Sequence, residues 1–249
     1  MSGHSKWATI KRKKAATDQA RGKLFSKFIK EITIAARHGG GDLEANPRLR
    51  TAIAAAKAVN MPAANIERAV KRGTGEVEGV HYEETQYEGY APGGIALLIE
   101  VATDNRNRTA GDIRHIFTRF NGSMAEAGAV SYLFKPRGVI TVDKSAIAED
   151  ALYEIVVEAG ADDVSAEGEV YEILTPPARF EAVREALGAA KIPVQAAELT
   201  KISSIQVPLS GKEAESVLKL VDALEDHDDV QKVYANFQIP DDVLARLAH

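Results

Sequence analysis

The chain has 249 residues, 45% hydrophobic and 27% charged, which is typical of a globular protein large enough for two or three domains. It contains no cysteine, which excludes disulfides, thiolate nucleophiles and cysteine-based metal sites. The longest aliphatic run covers only residues 95–99, far too short for a membrane span, and the N-terminus lacks the apolar core of a secretory signal.

The net charge of -5 conceals an uneven distribution along the chain. Residues 1–75 contain 16 Lys and Arg but 5 Asp and Glu, a net charge of +11. Residues 76–249 contain the remaining 15 basic and 31 acidic residues, a net charge of -16. This division predicts a basic module attached to an acidic body. Basic modules attract polyanions through phosphate contacts and counterion release, although a solvated lysine-rich surface is the alternative explanation.

The N-terminal segment, about residues 1–16, is predicted to be a basic arm with too few apolar positions to pack alone. The string GHSKWATIKRKK at 3–14 has five Lys or Arg, no acid and the only tryptophan of the chain. Trp7 either stacks on a base or docks on the neighbouring helices as a hydrophobic anchor. The candidate phosphate contacts in and just after the arm are Lys6, Lys11, Arg12, Lys13, Lys14, Arg21 and Lys23.

Three helices are predicted over roughly residues 20–73. Apolar residues at three- and four-residue spacing indicate the first, and the glycines at 39–41 end it. Asn46 and Pro47 are typical of an N-cap and first turn, so they predict the start of the second. Pro62 opens the third helix, which we expect to end at Gly73.

These helices carry further candidate contacts. Arg48 and Arg50, near the start of the second helix, are predicted to bind nucleic acid. Lys71 and Arg72 precede a glycine-rich linker at 73–79 and could line an interdomain cleft. The alternative for the third helix is a solvated face whose cations lie favourably near a helix C-terminus.

After residue 79 the pattern changes to strands and helices. We predict strands at 81–90 and 94–103, a helix at 108–120 with Thr109 and Asp112 as a capping box, and a strand at 129–134. The order β-α-β-β-α-β from 138 to 199 is that of a ferredoxin-like split βαβ unit. A final strand, helix and strand at 204–237 need a sheet to join, and the strands at 82–135 are the expected host.

The predicted fold class is therefore multi-domain α+β, with an N-terminal helical bundle followed by two α/β (ferredoxin-like) domains, one inserted in the other. The predicted boundaries are 1–76 for the arm and helical domain, 80–135 plus 203–239 for a discontinuous middle domain, 136–202 for the inserted domain, and 240–249 for a C-terminal helix or tail.

A second basic patch is predicted in the acidic body. Arg106 and Arg108 are expected just before a helix N-terminus, and Arg114 on the exposed face of that helix. Backbone N–H groups at a helix start, with nearby guanidinium groups, can form a phosphate site. The alternative is that these arginines pair with acids of the body, such as Glu83 and Glu84.

Signals for an enzyme are poor. The six histidines are scattered and form no H-E-x-x-H motif, and neither glycine-rich segment has the spacing of a nucleotide-binding loop. The segment EDHDD at 225–229 could bind a divalent metal through its carboxylates and His227, but an acidic loop is the favoured interpretation. We therefore predict no enzyme activity and no metal site, and no small-molecule substrate is evident.

Four strings point to a known family: GHSKWATIKRKKAATDQARGKLF, GGGDLEANPRLRTAI, YEGYAPGG and TDNRNRTAGDIRHIF. Together they resemble the YebC family of probable transcriptional regulators, which has a mitochondrial branch of translational activators. The resemblance implies three domains, a helical one and two α/β ones, with no enzyme activity and no cofactor. It also implies binding to DNA at promoters or RNA on the ribosome. Because the family strings begin at residue 2, we expect no transit peptide and a bacterial cytoplasmic protein.

The resulting prediction is a non-enzymatic nucleic-acid-binding regulator of gene expression, acting as a DNA-binding transcriptional regulator. The alternative is a ribosome- or RNA-associated translation factor. No helix-turn-helix with a clear recognition helix stands out, and a basic arm with one aromatic residue suits shaped RNA at least as well as duplex DNA. The acidic α/β domains could in addition bind protein partners, and no membrane contact is expected.

Overall fold

The computed structural model describes residues 18–209 and 211–238, and this part of the chain has a mixed α/β fold with seven α-helices and three β-sheets. The predicted arm up to residue 17 and the predicted C-terminal segment from 240 lie outside the described residues. The helices are α1 (Asp18–Gly39), α2 (Pro47–Ala58), α3 (Ala63–Thr74), α4 (Arg106–Arg119), α5 (Glu149–Glu158), α6 (Phe180–Ala189) and α7 (Gly211–Glu225).

Helices α1, α2 and α3 share one apolar core. The predicted start of α2 is confirmed: the side chain of Asn46 accepts a hydrogen bond from the Leu49 N–H at 3.0 Å, and Pro47 occupies the first turn. The predicted end of α3 at Gly73 is wrong. The left-handed residue that ends this helix is Gly75, with φ of 82°, two residues later.

Gly73 instead lies inside α3, where it is buried against α1. A Cβ atom at this position would lie 2.5 Å from the Cβ of Ala36 and 2.5 Å from the carbonyl oxygen of Thr33. Glycine therefore allows the backbones of α1 and α3 to approach more closely than any side chain would permit.

The first sheet is antiparallel and has the strand order β3-β1-β2-β9. Its strands are β1 (Glu83–Ala91), β2 (Ile95–Thr103), β3 (Ser123–Ala125) and β9 (Val230–Ala235). Helices α4 and α7 cover one face, with Phe117 and Leu220 fully buried in the shared core. The chain thus returns after residue 229 to complete a sheet that it began at residue 83.

Two local predictions in this region are wrong. Helix α4 begins at Arg106 because Asn105 is its N-cap and accepts a hydrogen bond from the Arg108 N–H at 3.1 Å. Thr109 is therefore no cap but a buried residue within the helix. No strand covers residues 129–133 of the strand predicted at 129–134: Ser131–Leu133 forms a 3₁₀ turn, and only Phe134 begins a strand.

The second sheet is also antiparallel, with the order β5-β6-β4-β7. Its strands are β4 (Phe134–Asp143), β5 (Asp163–Glu167), β6 (Val170–Thr175) and β7 (Val194–Ser203). Helices α5 and α6 pack against it around a separate apolar core that includes Ile140, Leu152 and Leu187.

The two larger sheets meet across the face of the first sheet that α4 and α7 leave uncovered. Leu98 of β2 packs there with Phe134 of β4. Glu100 links the two sides, because its carboxylate lies 2.6 Å from Lys201 Nζ of β7 and accepts a hydrogen bond from the Tyr234 hydroxyl at 3.0 Å.

The strand predicted at 204–209 is only two residues long. This strand, β8 (Val207–Pro208), pairs in parallel with β10 (Phe237–Gln238) and is not part of the first sheet. Among the described residues, no helix is both long and apolar enough to cross a membrane.

Candidate nucleic-acid interface

A cleft of about 780 Å³ separates the three-helix segment from the first sheet. Helix α1 and the end of α3 form one wall, and the start of α4 with the loop between α7 and β9 forms the other. The cleft is lined by cations and acids in nearly equal numbers. These are Lys23, Lys30, Arg72 and Arg108 on one hand and Asp104, Asp112, Asp226, Asp228 and Asp229 on the other.

The floor of the cleft is a buried ion pair between Lys30 of α1 and Asp229, which precedes β9. Lys30 Nζ lies 2.6 Å from Asp229 Oδ1, and only about a tenth or less of either side chain is exposed. The other carboxylate oxygen, Oδ2, accepts hydrogen bonds from Thr109 at 2.6 Å and Arg108 at 2.7 Å. Burial opposes ionisation of this carboxyl most strongly, but the hydrogen bonds from Lys30, Thr109 and Arg108 together lower its pKa well below the usual range.

Three lysines of α1 hold the end of α7. Lys23, Lys27 and Lys30 are spaced by four and three residues, which places them on one face of the helix. They donate to the backbone carbonyls of Glu225, Asp226 and Asp228 at 2.7 to 3.4 Å. Carbonyls at a helix C-terminus lack partners within the helix and carry partial negative charge. The lysines therefore offset the acids of segment 225–229, which are unfavourable at that end of α7.

The sequence of segment 225–229 favours an acidic loop over a metal site. Within the described ranges, no cluster of three or more His, Asp or Glu side chains could hold a metal ion. His227 Nε2 lies 3.3 Å from Asp112 Oδ2, and its Nδ1 accepts a hydrogen bond from the backbone N–H of Asp229 at 3.1 Å. The histidine thus ties the loop to α4.

Arg48, a predicted nucleic-acid contact, bridges the helices to the first sheet. Its guanidinium group lies 2.9 Å from Glu31 of α1 and 2.6 Å from Glu84 of β1. The hydrogen bond with Glu84 is the main cause that raises the pKa of Arg48 and lowers that of Glu84. The sequence offered Glu84 as a partner for Arg106 and Arg108, but in the structure Glu84 pairs with Arg48.

The second predicted patch lies within α4 rather than before it. Arg108 lies 2.8 Å from Asp104 and 2.7 Å from Asp229, so both carboxylates already occupy its guanidinium group. Arg106 donates to the Thr85 hydroxyl at 3.1 Å. The Arg114 side chain is exposed and has no hydrogen-bond or ion-pair partner among the described residues.

The other predicted contacts divide between the arm and the helices. Arg50 is exposed and donates to the carbonyl of Leu43 at 2.7 Å. Arg21 belongs to α1. The arm residues Lys6, Trp7, Lys11, Arg12, Lys13 and Lys14 lie outside the described residues.

Arg68 and Arg72 of α3 were not among the predicted nucleic-acid contacts. Arg72 does line the cleft, as one of the two interpretations of this helix anticipated. Lys71 does not line it but pairs with Glu67 at 2.7 Å. The signal available in the sequence was the four-residue spacing of Arg68 and Arg72, which places both on one face of α3.

Comparison with known proteins gives matches over nearly the whole chain. Residues 5–76 match the family profile described as "TACO1/YebC protein N-terminal domain", and residues 82–237 match "TACO1/YebC second and third domain". Relatives from Geobacter sulfurreducens and Desulforapulum autotrophicum, both named probable transcriptional regulatory proteins, are 58% and 56% identical. The alignments cover 99% and 98% of this chain and 100% and 98% of the relatives, respectively.

A solved structure is also similar. It is the crystal structure of a conserved hypothetical protein, Aq1575, from Aquifex aeolicus. The two chains share 49% identity and superpose with a TM-score of 0.78, over 90% of this chain and 92% of the other. The YebC resemblance drawn from four strings is thereby confirmed. This chain belongs to the TACO1/YebC family.

Proposed function

We propose that this protein is a non-enzymatic, nucleic-acid-binding regulator of gene expression that acts on DNA in transcription. The observation that carries the proposal is the net charge of +11 in residues 1–75, ahead of a body with a net charge of -16. The names of the relatives, probable transcriptional regulatory proteins, support a regulatory role.

A ribosome- or RNA-associated translation factor is the second candidate. The observation that favours it is the single tryptophan, Trp7, within a run of cations in the arm. Aromatic rings among Lys and Arg suit unpaired bases, which RNA loops expose and a DNA duplex does not.

We also infer a three-domain organisation with one α/β domain inserted in the other. The pairing of β9 with β2 supports it, because the second sheet, with strands between residues 134 and 203, lies between them in sequence. The strand order β5-β6-β4-β7 supports a ferredoxin-like arrangement of that inserted domain.

Binding across a salt series separates the two candidate functions. The full chain is titrated with promoter duplexes, with random duplexes of equal length and with purified ribosomes. The transcription proposal expects tighter binding to promoter duplexes than to random ones at physiological salt. Ribosome cosedimentation that persists at physiological salt, with no preference among duplexes, would overturn it in favour of translation.

The arm is expected to supply much of the electrostatic affinity. Changing Lys11, Arg12, Lys13 and Lys14 together to Ala should weaken duplex binding. It should also reduce the slope of log K against log salt by up to about 3.6, since each lost phosphate contact removes roughly 0.9. Fluorescence anisotropy at several salt concentrations measures both quantities.

A matched variant controls for net charge alone. Lys144, Arg184, Lys212 and Lys219, all in the acidic body, are changed to Ala, which removes the same charge. We expect the salt slope of this variant to stay close to that of the wild type. If the arm variant has the same affinity and salt slope as this control, the phosphates are bound elsewhere on the protein.

A further inference from the structure

Two arginines of α3 line a small depression beside the cleft. Arg68 and Arg72 are four residues apart, about 6 Å along the helix axis, and face the same side. With Ile29 and Asn65 they line a hollow of about 60 Å³. Ile29 and Arg72 also line the large cleft, so the hollow and the cleft are adjacent. We call this surface the α3 groove.

Neither arginine has a hydrogen bond or an ion pair with any residue that the structure describes. The Nε of Arg72 is shielded from solvent and has no partner. Lys71, on the same helix, is by contrast paired with Glu67. A guanidinium group stays charged at every accessible pH, and a partly buried charge without an acceptor is costly. A bound anion could supply the acceptor that Arg72 Nε lacks.

Four of the five acids that line the cleft have side-chain partners other than Arg68 and Arg72. Asp229 binds Lys30 and Arg108, and Asp104 binds Arg108. Asp112 lies against His227. In the linker after α3, Glu76 accepts a hydrogen bond from Thr74 at 2.8 Å. Asp226 lies 3.8 Å from Lys23, and the carboxylate of Asp228 makes no ion pair with Arg68 or Arg72. Both guanidinium groups are therefore free of carboxylate partners among the described residues.

We propose that the α3 groove binds the phosphate backbone of a nucleic acid, with Arg68 and Arg72 as its ligands; this rests on the proposed function and adds a site to it. Planar guanidinium groups match phosphate oxygens with paired hydrogen bonds. Ile29, which lines the groove, is 11 residues after the first residue of α1, about 17 Å along the helix axis.

The test uses the full chain with Arg68→Gln and Arg72→Gln combined. The probes are a labelled random 30-base-pair duplex and an unstructured RNA of 30 nucleotides, titrated by fluorescence anisotropy over a salt series. We expect the affinity for at least one probe to fall by roughly 100-fold or more, as for two lost charge-assisted contacts. The salt slope for that probe should fall by about 1.4 to 1.8.

Two further variants keep the result interpretable. Lys71→Gln removes a charge from the same helix, but the ammonium group of Lys71 is already paired with Glu67. This variant should therefore change the affinity much less than the double variant does. Arg68→Gln alone changes an exposed side chain, so it should keep the fold even if the Arg72 change does not. Its salt slope should fall by about 0.7 to 0.9.

The outcomes separate the groove from the general function. If the wild type binds neither probe, the proposed function fails and the groove fails with it. If the wild type binds while both the double variant and Arg68→Gln keep its affinity and slope, the groove proposal is overturned but the general function stands. If nucleic-acid binding is unchanged and the double variant instead loses an acidic protein partner, the ligand class proposed here is wrong.

Discussion

Replacing Asp229 by asparagine should lower the free energy of unfolding by about 3–5 kcal/mol. The substitution keeps the size of the side chain but removes the charge that compensates Lys30, which is nearly fully buried. Removing one partner of a buried pair is far more costly than the pair itself is stabilising, because the remaining charge cannot regain water. The salt bridge to Arg108 is weakened by the same change. Urea unfolding followed by circular dichroism measures the effect.

Asp228→Asn is the matched control for this prediction. Asp228 is the preceding residue, its side chain is exposed, and only its backbone carbonyl contacts Lys30. The same chemical change should therefore alter the free energy of unfolding by no more than about 0.5 kcal/mol. Equal effects of the two substitutions would show that the buried pair contributes nothing specific to stability.

The Asp229 carboxyl should also make stability depend on pH. Its pKa is lower in the folded protein than its ordinary value of 3.8. A depressed carboxyl pKa contributes stability that is fully present above the unfolded value. This contribution is lost progressively as the pH falls below about 4 towards the lower folded value. The difference in unfolding free energy between wild type and Asp229→Asn should accordingly shrink below pH 4 and stay constant from pH 6 to 8.

Gly73→Ala should destabilise the protein by about 1–2 kcal/mol, although alanine favours helices. A Cβ atom at this position would meet Ala36 and the Thr33 backbone at 2.5 Å, so α1 and α3 would have to move apart. Overpacking of this kind typically costs 1–3 kcal/mol or more, and the helix propensity of alanine returns only about 1 kcal/mol. Thermal or urea unfolding gives the net value.

Gly111→Ala makes the same substitution at a helix position where the new Cβ atom would contact no neighbouring helix. Gly111 lies in the middle of α4, is exposed, and has open space where a Cβ would be. We expect this variant to be more stable than the wild type by about 0.5–1 kcal/mol. A Gly73→Ala variant that is also stabilised would contradict the close packing of α1 against α3.

Local signals in the sequence predicted the helices and strands better than their ends. Asn46 with Pro47 marks the start of α2 correctly, because a cap is decided by neighbouring residues. Gly73 misled the prediction, since a glycine needed for contact between helices looks the same in sequence as one that ends a helix. Thr109 resembled a cap, but its hydroxyl bonds to Asp229, 120 residues away, which no local pattern can show.

The candidate site shows the same limit for charge. The sequence shows where the basic residues lie along the chain, but it does not show which of them form ion pairs in the folded protein. Lys23 and Arg48 carried the same weight as any other cation in the sequence, yet one binds the end of α7 and the other joins α1 to β1. Arg72 received little weight and proved to lack a partner for its Nε. Pairing depends on topology, and topology joins residues far apart in the chain.

The contacts between the lysines of α1 and segment 225–229 can form only late in protein synthesis. The acceptors of these lysines, in residues 225–229, lie about 200 positions further along the chain. The contacts between α1 and this segment therefore cannot form until nearly the whole protein has been synthesised. The three-helix segment has its own apolar core and can fold early, as domains do during synthesis. During that interval the three lysines lack the acceptors of segment 225–229. The most basic part of the nascent protein is then exposed to polyanions before its own acidic body can compete for it.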